Sequence, residues 1–330
     1  MRTISFAVLS LGVAAVVAAQ APIPAAERRA VVETLAERLH EDFVFPDIGD
    51  RYAALLRKKL AAGAYDDIAD PKAFAERLTA DLQAEYKEGH LRVAPPGQSL
   101  LAPRSPTAAG AAPRGVEDAR WIADGVAYIR FNMFPGDPAN VDRVRHFMET
   151  HATARTLIID ARPHRGGGLQ EMNVMLPYLY ARPTPLVQMD TRAAVAAAGR
   201  APTATGPMLR AVAAPPTIVR REHHVVPGKA TPLRTARVFY LTSKRTASAA
   251  EHLALALKRT RRATLIGETT RGAGHYGSFA DLGGGYSAFV PVGRTFDPAT
   301  GKGWEATGVT PDVAVPADKA LEEALKRAAG

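Results

Sequence analysis

Four short apolar runs, residues 126–131, 156–160, 238–241 and 263–266, are separated by segments whose apolar residues recur at helical spacing. The runs are apolar at nearly every position instead of alternating with polar residues, the pattern of strands covered on both faces. Helical spacing over 141–148, 170–179 and 248–258 fills the intervals. Strand and helix in alternation predict an α/β domain around a largely buried sheet, spanning 116–330. With 330 residues and 47% hydrophobic content the chain has enough apolar material for one large domain or two.

The region before the first strand reads differently. Val31, Val32, Leu35 and Leu39 mark one amphipathic stripe, Tyr52, Leu55, Leu56 and Leu60 a second, and Phe74, Leu78 and Leu82 a third. Pro46, the Ala62-Gly63-Ala64 break and Asp70-Pro71 separate them, so residues 20–94 are expected to form a small three-helix bundle. A Pro/Ala/Gly-rich link follows over 95–115. At the other extreme, Met1-Arg2, an apolar run over 4–17 and Ala18-Ala19 before Gln20 read as a signal peptide cleaved after Ala19. The run is shorter than the ~20 residues that span a bilayer, so export to the periplasm or the medium, with no span in the mature chain, is expected. Residues 192–235 read as a long irregular insertion, a lid or channel wall.

Composition removes several classes of function. Without cysteine there is neither a disulfide framework nor a thiolate metal site. The adjacent His223-His224 pair cannot share one helix face, and no metal or other cofactor is expected. The net charge of +9 is scattered, and its densest run, Lys258-Arg259 with Arg261-Arg262, falls at a helix C-terminus, where cations are favoured without any nucleic acid. Gly283-Gly284-Gly285 precedes strand formers instead of a helix, so it is no phosphate loop.

Chemistry concentrates around Ser248. It lies between the 238–241 strand and the 248–258 helix, where unpartnered backbone N–H groups and the helix dipole favour developing negative charge. A nucleophile elbow has this geometry, although Gly-x-Ser-x-Gly is absent; an ordinary N-cap serine has it too. The Ala249 N–H, with Gly166 and Gly167 after the 156–160 strand, would form an oxyanion hole, because glycine lets a backbone N–H approach a substrate oxygen closely.

The ordered set Asp160-Ala-Arg162-Pro-His164-Arg-Gly166-Gly167, Thr246-Ala-Ser248-Ala-Ala-Glu251, Gly267-Glu268-Thr-Thr-Arg-Gly272-Ala-Gly274-His275 and Trp304-Glu305-Ala-Thr-Gly308 resembles the catalytic domain of C-terminal-processing (tail-specific) serine proteases, the tricorn protease core and interphotoreceptor retinoid-binding protein. Glu88-Gly89-His90-Leu91-Arg92 is similar to the Asp-Gly-His-Leu-Arg element of the last branch, with Glu for Asp. The resemblance covers the last two thirds of the chain and implies a crotonase/ClpP-like core and a serine-type peptidase acting on a peptide or protein. The link is too short for the PDZ module many relatives carry.

The family's usual bases do not map onto this chain. The lysine of the Ser–Lys relatives corresponds to Ala273, and the tricorn-type histidine to Arg130. Histidines that could serve instead rank His90, His275, His164 and His252, with Lys244 as a further option; a histidine base predicts a rate that rises through an apparent pKa near ~6–7. Glu305 matches a carboxylate of the tricorn-like network, which would fix the imidazole tautomer. Glu251 and Glu268 also recur in the family pattern, and Glu251 equally fits a helix cap. A non-catalytic carrier of hydrophobic ligands is the alternative that the retinoid-binding branch implies.

Overall fold

The computed structural model describes residues 22–98, 100, 115–202 and 206–330. The expected signal peptide and most of the 95–115 link lie outside the described residues. Three helices open the described chain: α1 (Ala25–Asp42), α2 (Pro46–Ala61) and α3 (Pro71–Glu85). The Asp70 side chain caps α3 by accepting the Ala73 N–H at 2.7 Å. After the short strand β1 (Arg92–Ala94) come β2 (Val116–Ala123), β3 (Val126–Phe131), α4 (Pro138–Thr150), β4 (Thr156–Asp160) and α5 (Gln170–Leu179). The chain continues through β5 (Thr184–Arg192), α6 (Ala193–Ala197), β6 (Leu209–Val212), β7 (Ile218–Val225), β8 (Arg237–Thr242), α7 (Ala249–Arg259) and β9 (Thr264–Gly267). It ends with β10 (His275–Gly283), β11 (Tyr286–Phe296), β12 (Val313–Ala314) and α8 (Ala320–Ala329).

Two six-stranded sheets result. In the first, ordered β12-β9-β8-β4-β3-β2, every pair is parallel except β2 with β3. All five residues of β4 are buried, as an uninterrupted apolar run requires. Leu157 and Ile159 face a core shared with α4, α5 and α7, whereas Ile158 faces Ala320 and Ala324 of α8. Period-two alternation therefore survives, with both faces covered.

The second sheet is antiparallel, ordered β1-β11-β5-β7-β6, with β10 on the opposite edge of β11. Tyr286, Ala288, Val290 and Val292, two residues apart along β11, turn one face toward α1–α3. The three predicted helical stripes therefore meet this sheet as well as each other. Phe74 of α3, for example, packs edge-on against Tyr286 at 5.6 Å between ring centres.

One expectation is overturned. Residues 192–235 are not an irregular insertion, because β6 and β7 lie within them and extend the antiparallel sheet beyond β5. Arginine and histidine alternate poorly with apolar residues there, so hydrophobic periodicity gives no strand signal. The charges are satisfied across strands instead. Arg220 on β7 binds Asp190 on β5 through both carboxylate oxygens, and Arg210 on β6 binds Glu222 on β7. Among the described residues no helix is long and apolar enough to cross a membrane.

Candidate active site

Ser248 stands where β8 gives way to α7, at the C-terminal end of the parallel sheet, the edge at which such sheets bind ligands. Its neighbours fix the turn. The Ser243 hydroxyl donates to the Arg162 carbonyl at 2.6 Å and the Thr246 hydroxyl to the Ala161 carbonyl at 2.8 Å. The Ala247 N–H reaches the His164 carbonyl at 3.0 Å. Ser248 itself has φ 57° and ψ −119°, a conformation that costs a residue with a Cβ on the order of 1–3 kcal/mol. An ordinary N-cap serine is extended and needs no such strain.

Glu251 holds the strained residue. Its buried carboxylate accepts four hydrogen bonds: from the Ser248 N–H at 2.7 Å, the Thr270 hydroxyl at 2.6 Å, the Gly272 N–H at 2.6 Å and the Ala273 N–H at 2.9 Å. Burial pushes its pKa above the usual carboxylate value, and the four donors oppose that shift. Glu251 is thus both a helix cap and the clamp that joins the nucleophile turn to the glycine loop after β9.

The loop after β4 lies directly against Ser248. A Cβ on Gly166 would sit 2.7 Å from the Ser248 Cβ and 3.1 Å from its Oγ. Gly166 has φ 108° and its N–H donates to His164 Nδ1 at 3.0 Å. Gly167 has φ 128°, and a Cβ there would overlap the Phe134 carbonyl oxygen. Among the hydrogen bonds of the described residues, neither the Gly167 nor the Ala249 N–H has an acceptor. These are the two amides free to meet an oxyanion. Asp160 and Arg162, the first motif residues, hold the loop from beneath. Arg162 Nε and Nη2 bind the two Asp160 oxygens at 2.8 and 2.6 Å, and the Tyr128 hydroxyl adds a third bond at 2.7 Å.

Two carboxylates and two histidines gather from the other sheet. His275 Nδ1–H donates to Glu88 Oε2 at 2.6 Å, and the same nitrogen lies 3.8 Å from Glu305 Oε2. Glu305 accepts the Gly89 N–H at 2.7 Å through one oxygen, and the Gly274 and His275 N–H groups at 2.5 and 3.1 Å through the other. Burial raises its pKa, reinforced by the charge of Glu88. The carboxylate that fixes the His275 tautomer is therefore Glu88, which the sequence marks only as a Glu in place of Asp. Glu305 instead ties the Gly89-His90 backbone to the glycine loop. A Cβ on Gly89 would be 3.1 Å from the Gly272 carbonyl and 3.2 Å from the Ala273 Cα.

His90 is partly buried, and its backbone N–H donates to Glu88 Oε1 at 3.2 Å. Its Nδ1 is buried without a hydrogen-bond partner, and burial lowers the imidazole pKa to about 4. The ring is therefore neutral at pH 7, the form in which an imidazole can accept a proton. Glu88, His275 and Glu305 have ligand atoms within 4.8 Å of one another, the residue types of a metal cage. N–H donors already engage three of the four carboxylate oxygens of the pair and the His90 N–H the fourth. Every carboxylate oxygen of the pair is thus held by a hydrogen bond.

The remaining candidates sit elsewhere. His164 is fully buried under the glycine loop, with its pKa pushed down to about 3 by burial. His252, one turn after Ser248, is buried and donates through Nε2 to His223 Nδ1 at 2.8 Å, while His223 Nε2 donates to Asn173 Oδ1 at 2.9 Å. Sequence distance conceals this buried pair, since nothing local links 223 with 252. Lys244 is exposed, and Arg130 is paired with Glu117 at 2.8 Å. Glu268 lines an open hollow of about 430 Å³ with Arg130, Arg162 and Lys244.

The assembly can be compared with known proteins. Residues 125–315, more than half of the chain, match Peptidase family S41, and residues 18–125 match the N-terminal domain of Peptidase S41 in eukaryotic IRBP. The photosystem II D1 C-terminal processing protease is 16% identical with a TM-score of 0.56, over 91% of this chain and 96% of that one. A lipoprotein from Streptococcus agalactiae is 13% identical with a TM-score of 0.54, over 91% and 95%. The tricorn protease is 11% identical with a TM-score of 0.55, over 91% of this chain and 35% of the longer one. At these identities the three structures share the fold, and the family match carries the rest. This mixed α/β chain belongs to peptidase family S41 and is a serine-type peptidase.

Proposed function

We propose that the protein is an exported peptidase that cleaves peptide bonds through an acyl-enzyme at Ser248. The observation that carries this reading is the Ser248 backbone, strained to φ 57° and clamped by Glu251 against Gly166. Strain of this kind persists where the surroundings over-determine it, and an ordinary helix cap gives no reason for it. In the proposed mechanism His90 takes the Ser248 hydroxyl proton as Oγ attacks the substrate carbonyl. The Gly167 and Ala249 N–H groups receive the developing oxyanion. His90 then returns the proton to the leaving amine, and water repeats the sequence on the acyl-enzyme. Glu88 and Glu305 position His90 by holding the backbone N–H groups of His90 and Gly89, and His275 completes the cluster that keeps both carboxylates in place. Export rests on the N-terminal sequence.

Labelling the mature protein with a fluorophosphonate tests the reading. The wild type is expected to label and Ser248→Ala to remain unlabelled. Absence of label from a folded wild type would favour the hydrophobic-ligand carrier.

A further inference from the structure

Phe279 lies on β10, four residues beyond His275, and is 48% exposed. Its ring is not isolated. Directly across the hairpin it meets Phe289 edge-on, with ring centres 5.3 Å apart, and the Phe289 ring in turn lies 5.3 Å from the His90 ring at 34°. Gly277 makes room for this arrangement, because a Cβ there would come within 2.8 Å of a Phe289 ring carbon and would overlap the Val290 carbonyl oxygen. The opposite face of the hairpin, with Leu282, Tyr286, Ala288, Val290 and Val292, is already covered by α1–α3. The three rings therefore form an apolar shelf on the open face that runs from His90 outward.

From this geometry we infer that the Phe279–Phe289 shelf is a specificity site, which receives an apolar side chain of the peptide substrate close to the scissile bond. The inference rests on the peptidase reading for the identity of the occupant. Continuity supplies the first argument, since the shelf begins at His90, so a chain positioned for proton transfer there passes over it. Strand geometry supplies the second. The edge of β10 away from β11 pairs with no strand among the described residues, which leaves backbone groups for an extended peptide to bond. Alternate side chains of such an added strand would fall on the same face as Phe279. The Phe279 and Phe289 rings offer contact to a Phe or Leu side chain, whereas the exposed Arg92, directly across from Phe289 on the same face, repels a Lys or Arg side chain there.

The test is binding of fluorescein-labelled peptides to full-length mature Ser248→Ala protein, which needs no turnover. Two peptides are compared that differ only by Phe or Ala at one position, scanned along the sequence. At one position the Phe peptide should bind about tenfold or more tightly than the Ala peptide, within the range a single apolar side chain discriminates. Phe279→Ala in the same background should reduce that ratio to below about threefold, and Phe279→Leu should keep most of it. The exposed position makes both variants foldable, which thermal melting checks. A ratio near one at every position overturns the inference, as does a ratio that Phe279→Ala leaves intact. If Phe279→Ala instead converts a sedimenting dimer to a monomer with the ratio unchanged, the shelf is a contact between copies and the inference fails. Failure of the catalytic reading would look different, because it would leave the wild type unlabelled by fluorophosphonate while the binding ratio persisted.

Discussion

The nucleophile and the histidines are supplied by different halves of the molecule, and the halves are built differently. Ser248, Gly166 and Gly167 follow neighbouring strands of the parallel sheet, so one set of strand pairings, β4 with β8, brings them together. Dense hydrogen bonding then removes their freedom: the elbow is tied to the β4 loop at Ser243, Thr246 and Ala247 and to the glycine loop through Glu251. His90 and His275 belong to the antiparallel half, before β1 and at the start of β10. Carboxylates hold that half by its backbone, with Glu88 and Glu305 separated by 217 positions in the chain (305 − 88). A rigid nucleophile turn and a histidine–carboxylate cluster thus meet at the glycine loop, which Glu251 holds from one side and Glu305 from the other. The difference separates what mutation does to catalysis from what pH does.

The largest expected effect is at the rigid end. Ser248→Ala should lower kcat by about four to six orders of magnitude, as loss of a serine nucleophile does elsewhere. Ser248→Gly should be equally inactive yet more stable by about 1 kcal/mol, because glycine adopts φ 57° without strain. A Gly variant no more stable than the Ala variant would mean the elbow stores no strain.

Next comes the titrating end. His90→Ala should reduce kcat/KM by about two to four orders of magnitude if His90 is the base. Burial holds its pKa at about 4, so the neutral, proton-accepting form is already present well below pH 6. The acid limb of kcat/KM should accordingly fall near pH 4 and not near the ~6–7 of an unperturbed imidazole. A limb at pH 6–7 that disappears in His275→Ala would transfer the role to His275.

A smaller loss is expected within the rigid half, where the loop after β4 lies against the nucleophile. Gly166→Ala places a Cβ 2.7 Å from that of Ser248, in a backbone conformation that disfavours any side chain. Turnover should fall by about two to three orders of magnitude, comparable to losing one oxyanion donor. Retention of full turnover with only a lower melting temperature would make the loop a structural turn.

A separate expectation concerns stability and leaves the chemical step untouched. His90, His164, His223 and His252 all have pKa values lowered by burial in the folded protein. The unfolded chain takes up a proton on each near pH 6.5, the folded protein only at lower pH, near 4 at His90 and His252 and near 3 at His164. Stability is therefore complete above about pH 6.5 and is lost as pH falls, by roughly 1.4 kcal/mol per pH unit for each such histidine between the two values. Urea unfolding at pH 7 and pH 5 measures the slope, which should be shallower in His252→Gln.

Legibility followed the range of the interaction. The strands 126–131 and 156–160 and the helix 170–179 coincide with β3, β4 and α5, since apolar periodicity is a local property that burial enforces. β6 and β7 escaped because cross-strand ion pairs such as Arg220–Asp190, not an apolar pattern, satisfy their side chains. Within the site, Ser248 and the twin glycines stand out from their strand–turn context, whereas Glu88 as partner of His275 has no local signature at all.

By itself, then, the sequence determined the α/β alternation, the three N-terminal helices and the position of a serine at a strand-to-helix turn. Those follow from side-chain period and from the backbone demands of glycine and helix ends, which act over a few residues. Tertiary structure alone decided that Glu251 clamps the elbow to the glycine loop and that Glu305 reaches back to Gly89. It also decided that the Phe289 ring lies between His90 and Phe279. These are contacts between segments far apart in the chain, and burial fixes both their geometry and the protonation of the histidine they surround.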